Sequence, residues 1–202
     1  MKKEDYIGLS RIQLARELEK ELNYKRYLHS MGVAFTATAL AMRYDEDVRK
    51  TEVAGMLHDR AKCLSDRALL SLCKKNQVPI SEVEYDNPSL LHAKAGAVMA
   101  EQNYGVTDPD ILNAIRSHTT GRPGMSTLEK IIFIADYIEP GRNEAPNLDK
   151  IRQTAFEDLD KTLLMILGDT LDYLHRKKAG IDPMTQKTFD YYSNPGGKGI
   201  EI

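Results

Sequence analysis

Cysteine is scarce in this chain of 202 residues: there are two, Cys63 and Cys73, and they are not in a CxxC spacing. That excludes a disulfide scaffold and a thiolate zinc site, and leaves both as small helix-packing residues. Long apolar runs are missing as well. No window comes near the roughly 18 uninterrupted apolar residues of a membrane span, and the N-terminal MKKEDYIGLS lacks an apolar signal core, so the chain reads as cytoplasmic, with no membrane partner. Charge of one sign is also lacking. The net charge is -2 with charged residues at 29 %, which gives no global attraction to nucleic acid, and any basic patch must be local. Alternating apolar and polar runs, internal repeats and low-complexity segments are all absent, which argues against a sheet and against a repeat architecture.

What is present is helical periodicity, so the fold class is all-α, in a single domain over residues 1–190 with 191–202 as a C-terminal tail. The pattern predicts a first helix from Lys3 to Leu22 and a second, capped by Asn23, from Tyr24 to Tyr44. Asp45 is expected to open a third that ends on His58 and Asp59, and Ser65 a short fourth reaching Asn76. Residues 77–87 read as connector, and Leu90 to Tyr104 as a fifth helix closed by Gly105 in a left-handed cap. Asp108-Pro109 starts a sixth that carries His118, and a Ser126/Glu129 capping box starts a seventh that carries Asp136. Asn147 is expected to cap one long last helix to Lys178, followed by a turn and a loose tail.

The chemistry-bearing residues gather on these helices. Among five histidines, His175 stands in DYLHRKK and reads as a surface residue complementing a helix C-terminus. The other four are embedded in apolar helix sequence or at a helix end. For any one of them a partner carbonyl or carboxylate is the ordinary explanation. Asp136 is harder to explain in that way. It interrupts IIFIADYI, and an unpaired buried carboxylate costs several kcal/mol, roughly, unless a cation neutralises it. Imidazole with carboxylate is the donor set that suits ferrous iron, manganese or zinc. His29, His58, Asp59 and Asp136 together would make one such centre, drawn from three helices.

His29, then His58-Asp59, then Asp136 resembles the signature of the HD-domain metal-dependent phosphohydrolases, a helical superfamily. The segments RYLHSMGVA, EVAGMLHDRAK, LLHAKAG, IRSHTTGRPGMSTLEKIIFIADYIEPGR and GIDPMT are, in this order, similar to the bacterial YqeK-type symmetrical bis(5'-nucleosyl)-tetraphosphatases. The resemblance implies an HD-domain helical bundle that hydrolyses diadenosine tetraphosphate to two ADP at an iron-containing centre of one or two ions. It assigns His29, His58, Asp59 and Asp136 to the metal, and His92 and His118 to a second metal or a phosphate oxygen. His58 and Asp59 become the catalytic pair, with Asp59 both a ligand and an acceptor of the proton from the attacking water.

Phosphoanhydride cleavage also needs cations on the polyphosphate. Lys62 lies one turn after Asp59, Arg26 three residues before His29, Arg142 after the EPG turn and Arg122 in TTGRPG, and all four are candidate phosphate contacts. Thr119 and Thr120 could complete the cradle, and the segment from Ala179 to Met184, including Gly180 and Ile181, could close over adenine. Two other readings stand beside this one: an HD phosphohydrolase acting on other nucleotides or phosphate esters, and a nucleotide-sensing module without activity. Tyrosines and leucines of the first and last helices are candidates for a homodimer interface.

Overall fold

The structure is a computed structural model, and it describes residues 6–194. These residues form eleven α-helices and one 3-10 turn, with no strand among them. Helix α1 is Arg11–Glu21, α2 Tyr24–Arg43, α3 Val48–Leu57, α4 Asp66–Lys75 and α5 Glu82–Asp86. The 3-10 turn Pro88–Leu91 leads into α6, His92–Tyr104, followed by α7, Pro109–Ser117, and α8, Thr127–Ile138. Helices α9, Leu148–Ala155, α10, Leu159–Lys177, and α11, Pro183–Ser193, complete the order. None is long and apolar enough to cross a membrane.

Helix α8 sits at the centre because its sequence is apolar nearly all round. Leu128, Ile131, Ile132, Phe133, Ile134, Ala135 and Ile138 are all buried, and a helix with no polar face must be enclosed. It packs against α2, α3, α7, α9 and α10. Helices α2 and α3 pack most extensively on one another, and Gly55 sets their local approach. A Cβ at that position would lie 2.8 Å from the Cα of Ala34, so only glycine lets the two backbones meet there. A smaller apolar cluster of Ala61, Leu69, Cys73, Leu91, Ala95 and Met99 seats α4 on α6.

Several boundaries differ from the sequence reading. The first helix starts at Arg11 because Ser10 and Gln13 form a complete capping box; Lys3 lies outside the described residues. Asp45 does not cap α3. It takes a left-handed turn with φ 57°, and Asp47 accepts the cap bond from Lys50 N instead. The connector over 77–87 contains α5, for which Ser81 and Glu84 supply a capping box. The long last helix is two, since Asp158 caps α10 through Lys161 N. Asn147 caps nothing through its side chain, and donates to Asp169. The segment after Gly180 is helical through Ser193, because Asp182 caps it and Pro183 occupies its first turn. It packs on α10, and the Tyr192 hydroxyl accepts from Met125 N at 2.8 Å. His175 is exposed in the last turn of α10.

Candidate metal centre

Five helices deliver their ionisable residues to one point. His29 comes from the second turn of α2, and His58 and Asp59 leave the C-terminus of α3. His92 opens α6, His118 is the C-cap of α7, and Asp136 lies in the last turns of α8. His58, Asp59, His92 and His118 are each no more than 3 % exposed.

Three of the imidazoles are held in one way. Each Nδ1 donates to the carbonyl three residues earlier at 2.7 Å: His58 to Gly55, His92 to Ser89 and His118 to Ile115. A carbonyl only accepts, so Nδ1 carries the proton and, in the neutral ring, Nε2 turns its lone pair towards the centre. His29 is oriented by a carboxylate, its Nδ1 lying 3.1 Å from Glu139 Oε1.

The Nε2 atoms converge on the two carboxylates. Asp59 Oδ2 lies 3.6 Å from His29 Nε2 and 3.7 Å from His58 Nε2. Its other oxygen, Oδ1, lies 3.4 Å from His92 Nε2 and 3.6 Å from His118 Nε2. Asp136 Oδ1 is 3.0 Å from His29 Nε2 and 3.9 Å from His58 Nε2. Most of these spacings are too long for hydrogen bonds. Four of the six match the edges of a coordination shell, because metal bonds of about 2.0–2.2 Å set neighbouring donors about 3.0–3.6 Å apart, and the two longer ones, 3.7 and 3.9 Å, both involve His58 Nε2. The Nε2 of His58 is buried and has no hydrogen-bond partner, whereas that of His29 is met by Asp136 at 3.0 Å. A buried lone pair left unmatched is what a cation would satisfy. Three overlapping triads bring their donors within 4.8 Å of one another: His29-His58-Asp59, His58-His118-Asp136 and Asp59-His92-His118. Imidazole with carboxylate suits a divalent transition ion.

The electrostatics run the same way. Burial pushes His58 down to about 4 and His92 down to about 3, so both are neutral and able to ligate at pH 7. Burial also acts against protonated His29 and His118, but Asp136 with Glu139, and Asp59, outweigh it and raise both. Asp59 and Asp136 are held well below the usual carboxylate range, their desolvation being overcome by the surrounding imidazoles. Arg26 pairs with Asp59 through Nη1, and Arg142 Nη2 meets Asp136 Oδ1 at 2.8 Å.

A family model for the HD domain matches residues 26–141, from Arg26 on α2 to the turn beyond α8. The chain belongs to the HD domain family. Curated relatives in Bacillus subtilis (38 % identical, covering 86 % of this chain and 92 % of the relative) and Staphylococcus aureus (40 %, covering 90 % and 94 %) are each named "Bis(5'-nucleosyl)-tetraphosphatase, symmetrical". A crystal structure from Clostridium acetobutylicum, titled a predicted HD superfamily hydrolase involved in NAD metabolism, superposes with a TM-score of 0.89 at 41 % identity. That match covers 92 % of this chain and 98 % of the other.

The HD centre forms the floor of a cleft of about 1100 Å³. Arg26, His29, Asp59, Lys62, His92, His118, Thr119, Asp136 and Arg142 all line it, while His58 is enclosed behind them. Lys62 Nζ and Thr119 Oγ1 reach within 3.4 and 3.2 Å of His92 Nε2. The remaining substrate candidates are elsewhere. Arg122 spends its guanidinium fork on the buried Glu129, at 2.6 and 2.5 Å, so it braces the start of α8 and does not line the cleft. Thr120 faces a second cavity of about 250 Å³ beyond Thr119, bordered also by Lys94, Asp182 and Met184. Gly180 and Ile181 line neither cavity, and Gly180 backs onto Val83.

Sequence reasoning missed Glu139. It is 5 % exposed and holds His29 with Oε1 while Oε2 accepts from Gly141 N at 2.6 Å. The signal was its place one helical turn after Asp136, at the point where α8 gives way to Pro140 and Gly141, and it was hidden because it opens a breaker-rich stretch.

Proposed function

We propose that this protein is a metal-dependent hydrolase that splits diadenosine tetraphosphate and related dinucleoside polyphosphates symmetrically, giving two ADP. The observation that carries the reading is Asp59, whose two oxygens face two histidine half-sites at the floor of a cleft walled by Arg26, Lys62 and Arg142. The names of the close relatives support the substrate. His29, His58, Asp59 and Asp136 would hold one ion, and His92 and His118 a second ion or a phosphoryl oxygen. Ferrous iron is the metal proposed, since imidazole-rich sites with carboxylates suit it, with manganese or zinc able to occupy the same donors. A divalent ion here supplies a water acidic enough to attack at neutral pH and positive charge beside the phosphoryl oxygens.

The protein's own groups do the rest. Asp59, kept ionised by its imidazoles, turns one oxygen to each half-site and would orient the attacking water. Arg26 and Arg142 exchange the two carboxylates for the polyphosphate, and Arg142 offers a fork that matches two phosphate oxygens. Lys62, its pKa lowered by burial, adds a point charge, and Thr119 a hydroxyl. Water forms a bond to one inner phosphorus, the central anhydride bond breaks, and the leaving ADP departs with the bridging oxygen. ADP is a good leaving group, so charge neutralisation matters more than its protonation.

Anaerobic purification, metal analysis and chromatography of the products test this beside Asp59→Ala. ADP as sole product, with bound iron, both lost in the variant, is the expected result. AMP with ATP, or a metal-loaded protein without turnover, would reject it.

A further inference from the structure

Helix α2 packs on α3 and α8 through Val33, Ala34, Ala37, Leu40 and Ala41, and its opposite face reaches solvent. That solvent face is unusual for a chain with 29 % charged residues. From Tyr27 to Met42 the helix contains no aspartate, glutamate, lysine or arginine. Leu28, Phe35 and Met42 recur every seven residues, so they lie on one stripe, and they are 50, 50 and 69 % exposed. Tyr24, one turn before Leu28, is 74 % exposed. Thr38 lies between Phe35 and Met42, and a row of exposed apolar side chains along one helix face marks an interaction surface, whereas single ones do not.

We propose that this stripe is the contact between two copies of the chain, with α2 lying antiparallel to α2 of the second copy across a two-fold axis at Phe35. The axis follows from symmetry. A face that docks on itself in antiparallel fashion must do so about its midpoint, and Phe35 is the middle of the span from Leu28 to Met42. Leu28 then opposes Met42 of the second copy. The same register sets Lys25 against Asp45, which is exposed just beyond the helix C-terminus. A parallel arrangement would instead stack Lys25 on Lys25 and Arg43 on Arg43, so charge selects the antiparallel one. The exposed parts of Tyr24, Leu28, Phe35 and Met42 offer roughly 500 Å², most of the about 800 Å² per partner of a standard interface. Tyr24, Lys25 and Leu28 also line the cleft. Pairing therefore brings Met42 and Asp45 of the second copy to the cleft mouth, and the homodimer contact lies on α2, bordered at Phe35 by Arg11 of α1, whose guanidinium lies 5.3 Å from the ring centroid.

Sedimentation of the full chain and of Phe35→Glu is the first test. The wild type is expected to be a dimer, and the variant, with unchanged helical circular dichroism, to dissociate about a hundredfold more readily, because a carboxylate would be enclosed at the axis. The register is tested by cross-linking in a Cys63→Ser background with a short bis-maleimide. Phe35→Cys should link to itself, and a mixture of Leu28→Cys with Met42→Cys should link. Leu28→Cys alone should not, since its two copies would be about 21 Å apart along the helices. A wild type that is monomeric at every concentration, a dimer that survives Phe35→Glu, or self-linking of Leu28→Cys as strong as that of Phe35→Cys would each overturn the proposal.

Discussion

Replacing Glu139 by glutamine changes one oxygen to an amide and leaves the volume intact, yet it should weaken the metal centre. The carboxylate accepts two hydrogen bonds, from His29 Nδ1 at 3.1 Å through Oε1 and from Gly141 N at 2.6 Å through Oε2. Glutamine has one acceptor oxygen, so it keeps one of these bonds and sets its NH2 against the other donor. Either His29 loses its orientation or the 139–142 turn does, and in both cases the negative charge that makes His29 a stronger donor is gone. Loss of such a partner behind a ligand histidine typically costs 10–100-fold, roughly, in metal affinity, which is about 1.4–2.7 kcal/mol. Titrating Mn2+ into metal-free protein, followed by electron paramagnetic resonance, reads this without relying on turnover. Gly32→Ala gives an independent perturbation of the same clamp, because its Cβ would meet Glu139 Oε2 at 2.7 Å and displace the carboxylate without altering charge. If both variants bind Mn2+ as tightly as wild type, Glu139 does not position His29 and the reasoning fails.

Other outcomes follow from the same geometry. Arg122→Ala should lower stability by about 1–3 kcal/mol in urea unfolding, because Glu129, 1 % exposed, loses its fork. Arg142→Ala should instead depress kcat/KM with a much smaller stability change, and an Arg122 effect confined to kinetics would contradict the assignment. Gly55→Ala should cost about 1–3 kcal/mol by overpacking against Ala34 and loosen metal binding by shifting α3, with an unchanged melting temperature as the refuting result. Acidification provides a further check. His58 and His92 bind protons at about 6.5 when unfolded but only near 4 and 3 when folded, so their share of metal-free stability is complete above pH 6.5 and drains away as pH falls towards 4. The raised His29 and His118 act in the opposite sense, losing their share as pH rises above 6.5. Melting curves from pH 5 to 7 should thus show a shallower acid limb for His92→Gln than for wild type, and identical slopes would show that His92 is not held neutral.

The parts of this fold that were legible in the sequence are those written in local chemistry. Asn23, Ser65, Asp108 and Ser126 cap the helices their positions announce, and Gly105 closes α6 at φ 68°. The break between α9 and α10 was illegible because AFEDLD contains neither proline nor glycine, and an aspartate within a helical pattern reads as surface until its carboxylate is seen to accept from Lys161 N. Helix α11 was missed for another reason: the residues it buries fully are Thr185 and Thr188, and only Phe189 and Tyr192 beside them pack on the core as apolar side chains. At the centre, the His-Asp pattern brought together the residues that converge in the structure. The candidate phosphate contacts divided by what else each cation could reach. Arg26 and Arg142 met acidic groups at the centre, whereas Arg122 met Glu129, a partner seven residues away that no motif marks.

The backbone bonds that hold His58 and His118 have a meaning beyond ligand geometry. The carbonyls they use, of Gly55 and Ile115, belong to the last turns of α3 and α7, where a helix runs out of amide partners. One imidazole thereby completes a helix terminus with one nitrogen and faces the centre with the other. Folding and function are usually thought to compete for residues like these, since buried polar groups placed for chemistry tend to leave something unsatisfied nearby. Here the demand comes from both sides of the same ring. A transplant of this centre into another scaffold would have to carry the helix ends with it, for two of its imidazoles are bonded to the carbonyls at which these helices stop.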